Sequence, residues 1–147
     1  MTHDNPAHWA VFDDVHTIGP GPITGVPVTW VPPINRDYEI AFISVNLHCG
    51  AAAADRYVYF SAVVHTLEII LAWFDTPATA GTDWRFTLAQ GLPKQVNASL
   101  RQQTHPLPQR LRIPPNHYLY IRALNLDTGD TFTGTQGVFN MWVKSPI

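Results

Sequence analysis

The sequence predicts an all-β fold: a jelly-roll-like sandwich of two sheets that carries an extended N-terminal arm. From about residue 25 onward, β-branched and aromatic residues occur in short runs, and turn residues separate these runs. Eight runs can be drawn, a number that suits a two-sheet sandwich or jelly roll. The chain has 147 residues, which is enough for one domain with a hydrophobic core of its own.

The first 24 residues are predicted to form the arm, and residues 25–147 the sandwich domain. Proline and glycine interrupt the arm and its apolar residues show little periodicity, so no core-facing strand can be drawn through it. Two short apolar stretches contain Trp9, Phe12, Val15 and Ile18. We expect these four side chains to bind a partner surface, which is either the sandwich itself or a neighbouring subunit.

The strands of the sandwich are predicted at residues 26–31, 37–48, 56–64, 67–73, 83–89, 110–113, 117–126 and 137–144. A helix over residues 51–73 is the competing interpretation, because four alanines open that stretch. Its tyrosine, valine, phenylalanine and isoleucine residues are strand formers, and they cover every side of a helical projection. Two strands are therefore favoured over the helix.

The central strands are apolar on both faces. Tyr118 and Tyr120 alternate with Leu119 and Ile121, so neither face of that strand is plainly polar. A sandwich strand with one face in water alternates apolar and polar residues. We therefore expect the second face to be covered, either by the arm or by another subunit.

Composition excludes several classes of partner. Charged residues make up 14% of the chain, the net charge is −2 and no run of like charge occurs, which excludes nucleic acid as the main partner. Cys49 is the only cysteine, so no internal disulfide forms. The first ten residues lack the basic end and apolar run of a signal peptide, which predicts a protein made in the cytosol. Residues 57–74 are mostly apolar, but Glu68 in their middle costs ~3 kcal/mol in a bilayer, so no membrane span is predicted.

No motif for catalysis, for a cofactor or for a metal is found. The seven histidines lack the spacing of metal ligands. Cys49 follows His48, but a cysteine beside apolar residues is interpreted as core. No Gly-x-Ser-x-Gly turn occurs, and carboxylates such as Asp127 and Asp130 lie where aspartate supports a turn. The sequence therefore predicts no catalytic residue, no bound cofactor and no metal site.

Four of the five tryptophans divide into two groups. Trp73 and Trp142 lie within strongly apolar strands, which predicts that they belong to the core. Trp9 and Trp30 lie outside the densest apolar pattern. We therefore expect these two to be exposed and to serve, like the other apolar residues of the arm, as anchors for a partner.

Strands and turns follow one another in a recurring order in the second half of the chain. The segments that show this order are Asp55-Arg56-Tyr57-Val58-Tyr59, Trp84-Arg85-Phe86-Thr87-Leu88-Ala89-Gln90-Gly91, Leu107-Pro108-Gln109-Arg110-Leu111-Arg112-Ile113-Pro114-Pro115-Asn116-His117-Tyr118 and Asn125-Leu126-Asp127-Thr128-Gly129-Asp130-Thr131-Phe132. In this pattern the chain resembles small jelly-roll-like structural proteins of tailed bacteriophages, and the likeness covers roughly residues 36–144.

This resemblance implies a non-enzymatic capsid decoration, or cement, protein. Such a protein forms a homo-oligomer, expected here as a trimer, and binds the major capsid protein on the outer surface of a phage head. It would lie on the capsid surface of the virion after synthesis in the host cytoplasm. A head-to-tail, tail or fibre component is also compatible with the resemblance.

Two other functions remain open at this point. A carbohydrate-binding jelly-roll module would use an aromatic platform such as Trp30 with Tyr38 to stack on sugar rings. An enzyme would need a concave pocket where carboxylates or histidines converge.

Overall fold

The structure is a computed structural model that describes residues 2–4, 10–17, 27–31, 37–107, 111–113, 117–142 and 144–146. These residues form thirteen strands and no helix. The strands are β1 (Thr2–Asp4), β2 (Ala10–Thr17), β3 (Val28–Trp30), β4 (Asp37–His48), β5 (Tyr57–Val64), β6 (Leu67–Trp73), β7 (Asp83–Ala89), β8 (Gln95–Asn97), β9 (Gln102–Pro106), β10 (Arg112–Ile113), β11 (Tyr118–Leu124), β12 (Thr131–Trp142) and β13 (Lys144–Pro146).

The strands form two main sheets. The larger sheet has the order β2-β12-β4-β7-β9-β8, and β10 pairs with the beginning of β4. The smaller sheet has the order β3-β11-β5-β6. Neighbouring strands are antiparallel, except for β7 and β9, which are parallel. A separate antiparallel ribbon joins β1 to β13.

The connectivity is that of a jelly roll. Of the eight strands β2 to β7, β11 and β12, the larger sheet holds β2, β12, β4 and β7 in that order and the smaller sheet holds β3, β11, β5 and β6, which is the strand order of a jelly roll. The strands β8, β9 and β10 are inserted between β7 and β11. The predicted fold class is therefore confirmed. Residues Ala10–Thr17 of the predicted arm form the edge strand β2, whose backbone pairs with β12, so this part of the arm lies on the sandwich itself.

Most predicted strands appear within one or two residues of their expected bounds, and β4, β6 and β7 have the bounds that were predicted. The helix considered over residues 51–73 is wrong, because β5 and β6 occupy most of that stretch. Within the described residues no helix is long and apolar enough to cross a bilayer. The strands β8 and β9 were not predicted, because their mostly polar residues show no apolar alternation.

The hydrophobic core lies between the inner faces of the two sheets. Alternate residues of β4 and β7 point into it from the larger sheet, and alternate residues of β5 and β11 from the smaller sheet. Phe74 follows β6 and makes edge-to-face contacts with Phe60 and Phe86, whose ring centroids lie 5.4 and 5.1 Å away. Such aromatic contacts add to the burial of the rings themselves and join the two sheets.

A fully buried ion pair lies at one end of the sandwich. Arg56, which precedes β5, and Asp130, which precedes β12, both have no exposed side-chain surface. The Arg56 Nε and Nη2 groups donate to the two carboxylate oxygens of Asp130 at 2.8 and 3.0 Å. The same carboxylate accepts the backbone N–H groups of Gly50 and Asp127, each at 2.8 Å, and Arg56 also donates to the Ala54 carbonyl at 2.6 Å. One carboxylate therefore holds the ends of β4, β5, β11 and β12 together.

The hydrogen bonds decide the ionisation of this pair. Burial by itself would raise the pKa of Asp130. The hydrogen bonds from Arg56 and from the backbone of Asp127 and Gly50 outweigh burial, so the pKa of Asp130 is lowered. The pKa of Arg56 is raised by its hydrogen bond to the same carboxylate. Both groups are therefore charged in the folded protein at neutral pH.

Replacing Asp130→Asn should lower the free energy of unfolding by about 3–5 kcal/mol, because it leaves the buried Arg56 guanidinium without its counter-charge. Chemical denaturation followed by far-UV circular dichroism measures this change. Lys94→Ala serves as the control, since Lys94 and Asp75 are 49% and 62% exposed and their ion pair contributes under about 1 kcal/mol. Equal losses of unfolding free energy in the two variants would contradict this prediction, because the buried ion pair would then contribute no more than the exposed one.

Acid should weaken the fold through Asp130. Its pKa in the folded state lies below the value of ~3.9 in an unfolded chain, so the pair contributes stability above pH ~3.9. That contribution is lost as the pH falls through the folded-state pKa. As the pH is lowered from ~3.9 through the folded-state pKa of Asp130, we expect the unfolding free energy of the wild type to fall more steeply than that of Asp130→Asn. Denaturation at a series of pH values measures both curves. Parallel curves would assign the acid sensitivity to other groups.

Candidate binding surface

The strand β11 lies inside the smaller sheet and contributes the middle of its outer face. Leu119 and Ile121 are buried in the core, so the alternating residues Tyr118, Tyr120 and Arg122 point away from it. The rings of Tyr118 and Tyr120 meet edge to face at 4.9 Å. The Arg122 guanidinium lies over the Tyr120 ring, 4.7 Å from its centroid. The outward side of this central strand is therefore a row of two aromatic rings and a cation.

The neighbouring strands continue this surface. Val58 and Phe60 of β5 are buried, and Tyr57 and Tyr59, which alternate with them along the strand, point outward. Trp73 of β6 lies opposite Tyr59. Its ring is nearly parallel to both tyrosines, with interplanar angles of 14° to Tyr57 and 20° to Tyr59 and centroid distances of 6.0 and 5.6 Å. The outer aromatic face is defined here as Tyr57, Tyr59, Trp73, Tyr118, Tyr120 and Arg122.

An ion pair crosses the outer aromatic face. Arg122 Nη1 donates to Glu68 of β6 at 2.8 Å, and the buried Ser61 hydroxyl donates to the other oxygen of the same carboxylate at 2.6 Å. The two charged side chains are only 35% and 32% exposed. Each long side chain is thus held in one position by a hydrogen bond and, for Arg122, by the ring beneath it. The surface is ordered before any partner arrives, which reduces the entropy lost on binding.

The pKa values of Glu68 and Tyr120 are shifted by the hydrogen bonds on this face. The hydrogen bond from Ser61 is the main cause that lowers the pKa of Glu68, and the bond from Arg122 adds to it against the effect of burial. A hydrogen bond with Tyr118 is the main cause that raises the pKa of Tyr120. At neutral pH the Glu68 carboxylate and the Arg122 guanidinium are therefore both charged, and they lie beside a neutral Tyr120 phenol.

Exposed apolar side chains concentrate on the same sheet. Among the described residues, seven large hydrophobic side chains are exposed, and five of them belong to or border the smaller sheet: Val31, Leu67, Ile69, Ile70 and Leu124. The two others, Val96 and Leu100, lie on and after β8. Three of the five, Leu67, Ile69 and Ile70, lie together on the edge strand β6, and clustered exposed apolar side chains mark sites of interaction in soluble proteins.

The outer face of the larger sheet is polar instead. Three successive cross-strand pairs of β4 and β7 are hydrogen-bonded side chain to side chain: Ser44 with Thr87 at 3.2 Å, Asn46 with Arg85 at 3.0 Å, and His48 with Asp83 at 2.5 Å. A shallow groove of about 330 Å³ lies along this row. His48, Asp83 and Arg85 are exposed, Asn46 and Thr87 are half-buried and Ser44 is buried, and the six satisfy one another. This described part of the larger sheet therefore differs in chemistry from the outer aromatic face.

No catalytic arrangement emerges from the residues that the structure describes. Cys49 is 1% exposed, and burial is the main cause that raises the pKa of its thiol, so little reactive thiolate is present at neutral pH. In the described ranges, no three histidine, cysteine, aspartate or glutamate side chains are grouped as metal ligands.

Trp30 is not an exposed anchor. It is 7% exposed, belongs to the core cluster and meets Tyr38 edge to face at 5.6 Å. The expectation that Trp30 is exposed is therefore wrong, because its position on β3 points between the sheets beside the buried Leu119. Tyr38 is 6% exposed, so the platform of Trp30 with Tyr38 that a carbohydrate-binding module would use is wrong as well.

The four other predicted anchors belong to the N-terminal 24 residues. Trp9 and Ile18 lie outside the described residues. Phe12 and Val15 lie on β2, of which only the backbone is described, and that backbone pairs with β12. Their role as partner-binding residues stays a prediction.

The residues of the outer aromatic face were not predicted as a site. Trp73 was assigned to the core, whereas it is half-buried on the outward side of β6. The available signal was the alternation of Tyr57 and Tyr59 with Val58 and Phe60, which repeats in Tyr118 and Tyr120 with Leu119 and Ile121. This signal did predict a second apolar face, but not which strands would lie side by side.

No family model matches this sequence, and neither a curated protein nor a solved structure shows significant similarity to it.

Proposed function

We propose that this chain is a non-enzymatic structural protein of a virion, a capsid decoration protein that binds the outer surface of a phage head through the outer aromatic face and stabilises the shell. The observation that carries the proposal is the ordered cluster of tyrosine, tryptophan and arginine on a sheet face that points away from the core. Contact between copies is part of the proposal. The resemblance alone implies three copies, whereas the open edge of the smaller sheet, discussed in the next subsection, favours two.

The fold supports a structural or binding role. Jelly rolls recur in viral capsid domains, in lectins and in cupins, so the topology is compatible with the sequence resemblance to phage structural proteins. This support is an analogy between folds, and fold alone does not define function. The chemistry of the surface has to distinguish between these classes.

The composition of the outer aromatic face favours a protein partner. Tryptophan, tyrosine and arginine dominate the binding energy of protein interfaces, and they act best where neighbouring groups exclude water. Arg122 is already stacked on Tyr120 and paired with Glu68, so it enters an interface without an uncompensated charge. A partner that binds only the assembled shell stabilises that shell by mass action.

Trp73→Ala and Tyr120→Ala should each weaken binding to phage heads by about 30-fold, the effect of losing one strong anchor of ~2 kcal/mol. The measurement is co-sedimentation with heads purified without this protein from the phage that encodes it. Arg85→Ala is the matched control, because Arg85 is an exposed residue of the opposite, polar face. Absence of wild-type binding, or equal losses in all three variants, would reject the proposal.

Binding of neutral sugars is the second candidate, because three nearly parallel rings, Tyr57, Trp73 and Tyr59, lie together on an open sheet face. Titration of the protein with neutral oligosaccharides, followed by tryptophan fluorescence, separates the two functions. A decoration protein is expected to give no saturable response. A saturable response that Trp73→Ala abolishes would favour a carbohydrate-binding module instead.

A further inference from the structure

We propose that β6 is the contact between copies of this chain, and that it pairs antiparallel with β6 of a second copy about a two-fold axis. This inference goes beyond the proposed function, because it holds whatever the outer aromatic face binds. It follows from the open edge of the smaller sheet, from the position of the only charge on that edge and from the symmetry of an antiparallel pair.

The free edge of β6 lacks the features that usually prevent a further strand from pairing. In the described chain, β6 is the last strand of the smaller sheet and pairs with β5 on one side only. Proteins protect such edges with lysine, proline or short strands, since free backbone groups accept further strands. β6 has seven residues without lysine or proline, and Leu67, Ile69 and Ile70 are 64%, 46% and 55% exposed.

The other edges are less suited to a new strand. β3 and β8 have three residues each, which is too short for a stable pairing. β2 is eight residues long, but two adjacent aspartates lie in its middle. Among the sheet edges that the structure describes, β6 alone combines length, apolar character and exposure.

A second copy is the occupant that the charges favour. Glu68 is the only charged residue of β6, and its carboxylate is already turned toward Arg122 and Ser61 on the outer face. Two β6 edges therefore approach one another without bringing together unpaired charges. A two-fold axis needs only one self-complementary patch, which this edge supplies.

The pairing is centred on Ile69. The register between β5 and β6 is regular from Leu67 to Ile70 and shifts by one residue afterwards, so the exposed half of β6 is the regular half. With Ile69 opposite Ile69, Glu68 lies opposite Ile70, and both point to the outer face. The register that places Glu68 opposite Glu68 is disfavoured, because like charges directly opposite destabilise a strand pair.

The geometry of this pair has a consequence for binding. The two-fold axis of an antiparallel strand pair is perpendicular to the sheet, so the two smaller sheets join into one of eight strands, within the usual size of a sheet. Both outer aromatic faces then lie on the same side. If the proposed function holds, the pair binds a shell through two linked sites, which raises its apparent affinity without any new contact.

Light scattering over a range of concentrations tests the contact. We expect the mass of the wild type to approach twice the 16.4 kDa of one chain. Ile69→Lys places two lysines face to face at the axis and should weaken the association by about tenfold or more. Val96→Lys is the matched control, because Val96 is 47% exposed but lies on β8, and it should leave the dimer unchanged. Circular dichroism verifies that both variants fold.

A charge-swap mixture removes the ambiguity of a single variant. Ile69→Lys and Ile69→Glu should each be monomeric alone and should form a dimer when mixed in equal amounts, because opposite charges across strands attract. A wild type of three chains, or of one chain at every concentration, would overturn the proposal, as would a mixture that stays monomeric. Co-sedimentation with heads is scored separately, so loss of the dimer and loss of shell binding are distinguishable.

Discussion

The sandwich depends on the buried pair of Arg56 and Asp130. The Asp130 carboxylate accepts four hydrogen bonds, two from the guanidinium and two from backbone N–H groups that follow β4 and β11. Gly50 and Gly129 approach so closely beside it that a side chain on Gly50 would lie 2.9 Å from the Gly129 carbonyl oxygen. A fully buried ion pair contributes little net stability against an apolar replacement, but either member alone is costly. The four hydrogen bonds of this carboxylate join strand ends of both sheets, β4 and β12 of the larger and β5 and β11 of the smaller.

The order of the strands in each sheet produces the contrast between the two outer faces. Because β5 and β11 are adjacent in the smaller sheet, their tyrosines form one continuous surface, and β6 brings Trp73 and Glu68 beside it. On the larger sheet, the same adjacency of β4 and β7 places polar residues opposite one another, where they satisfy each other's hydrogen bonds. The described outer surface of the smaller sheet is thus aromatic, and the row of cross-strand pairs on β4 and β7 is polar.

The sequence was sufficient for strands whose residues are apolar or aromatic. In runs such as residues 37–48 and 83–89, apolar side chains recur along the strand and are buried between the two sheets. The local pattern therefore agrees with the position of these strands in the fold. Strand β12 begins at Thr131, earlier than predicted, because its first part is rich in threonine and glycine and is paired through backbone hydrogen bonds. Trp30 and Asp130 show the same limit for side chains. An isolated tryptophan and a turn aspartate become buried only through contacts with residues far away in sequence, such as Leu119 and Arg56.

The separation of the buried pair along the chain also bears on biosynthesis. Arg56 and Asp130 are 74 positions apart, and Asp130 lies near the C-terminal end of a chain of 147 residues. A growing polypeptide therefore holds an arginine that cannot be buried until translation has passed residue 130. Non-local pairings of this kind slow folding, because a long loop has to close before any contact compensates for its entropy. The Arg56 guanidinium is therefore paired and buried only after the chain segments around Arg56 and Asp130, 74 positions apart, have come together.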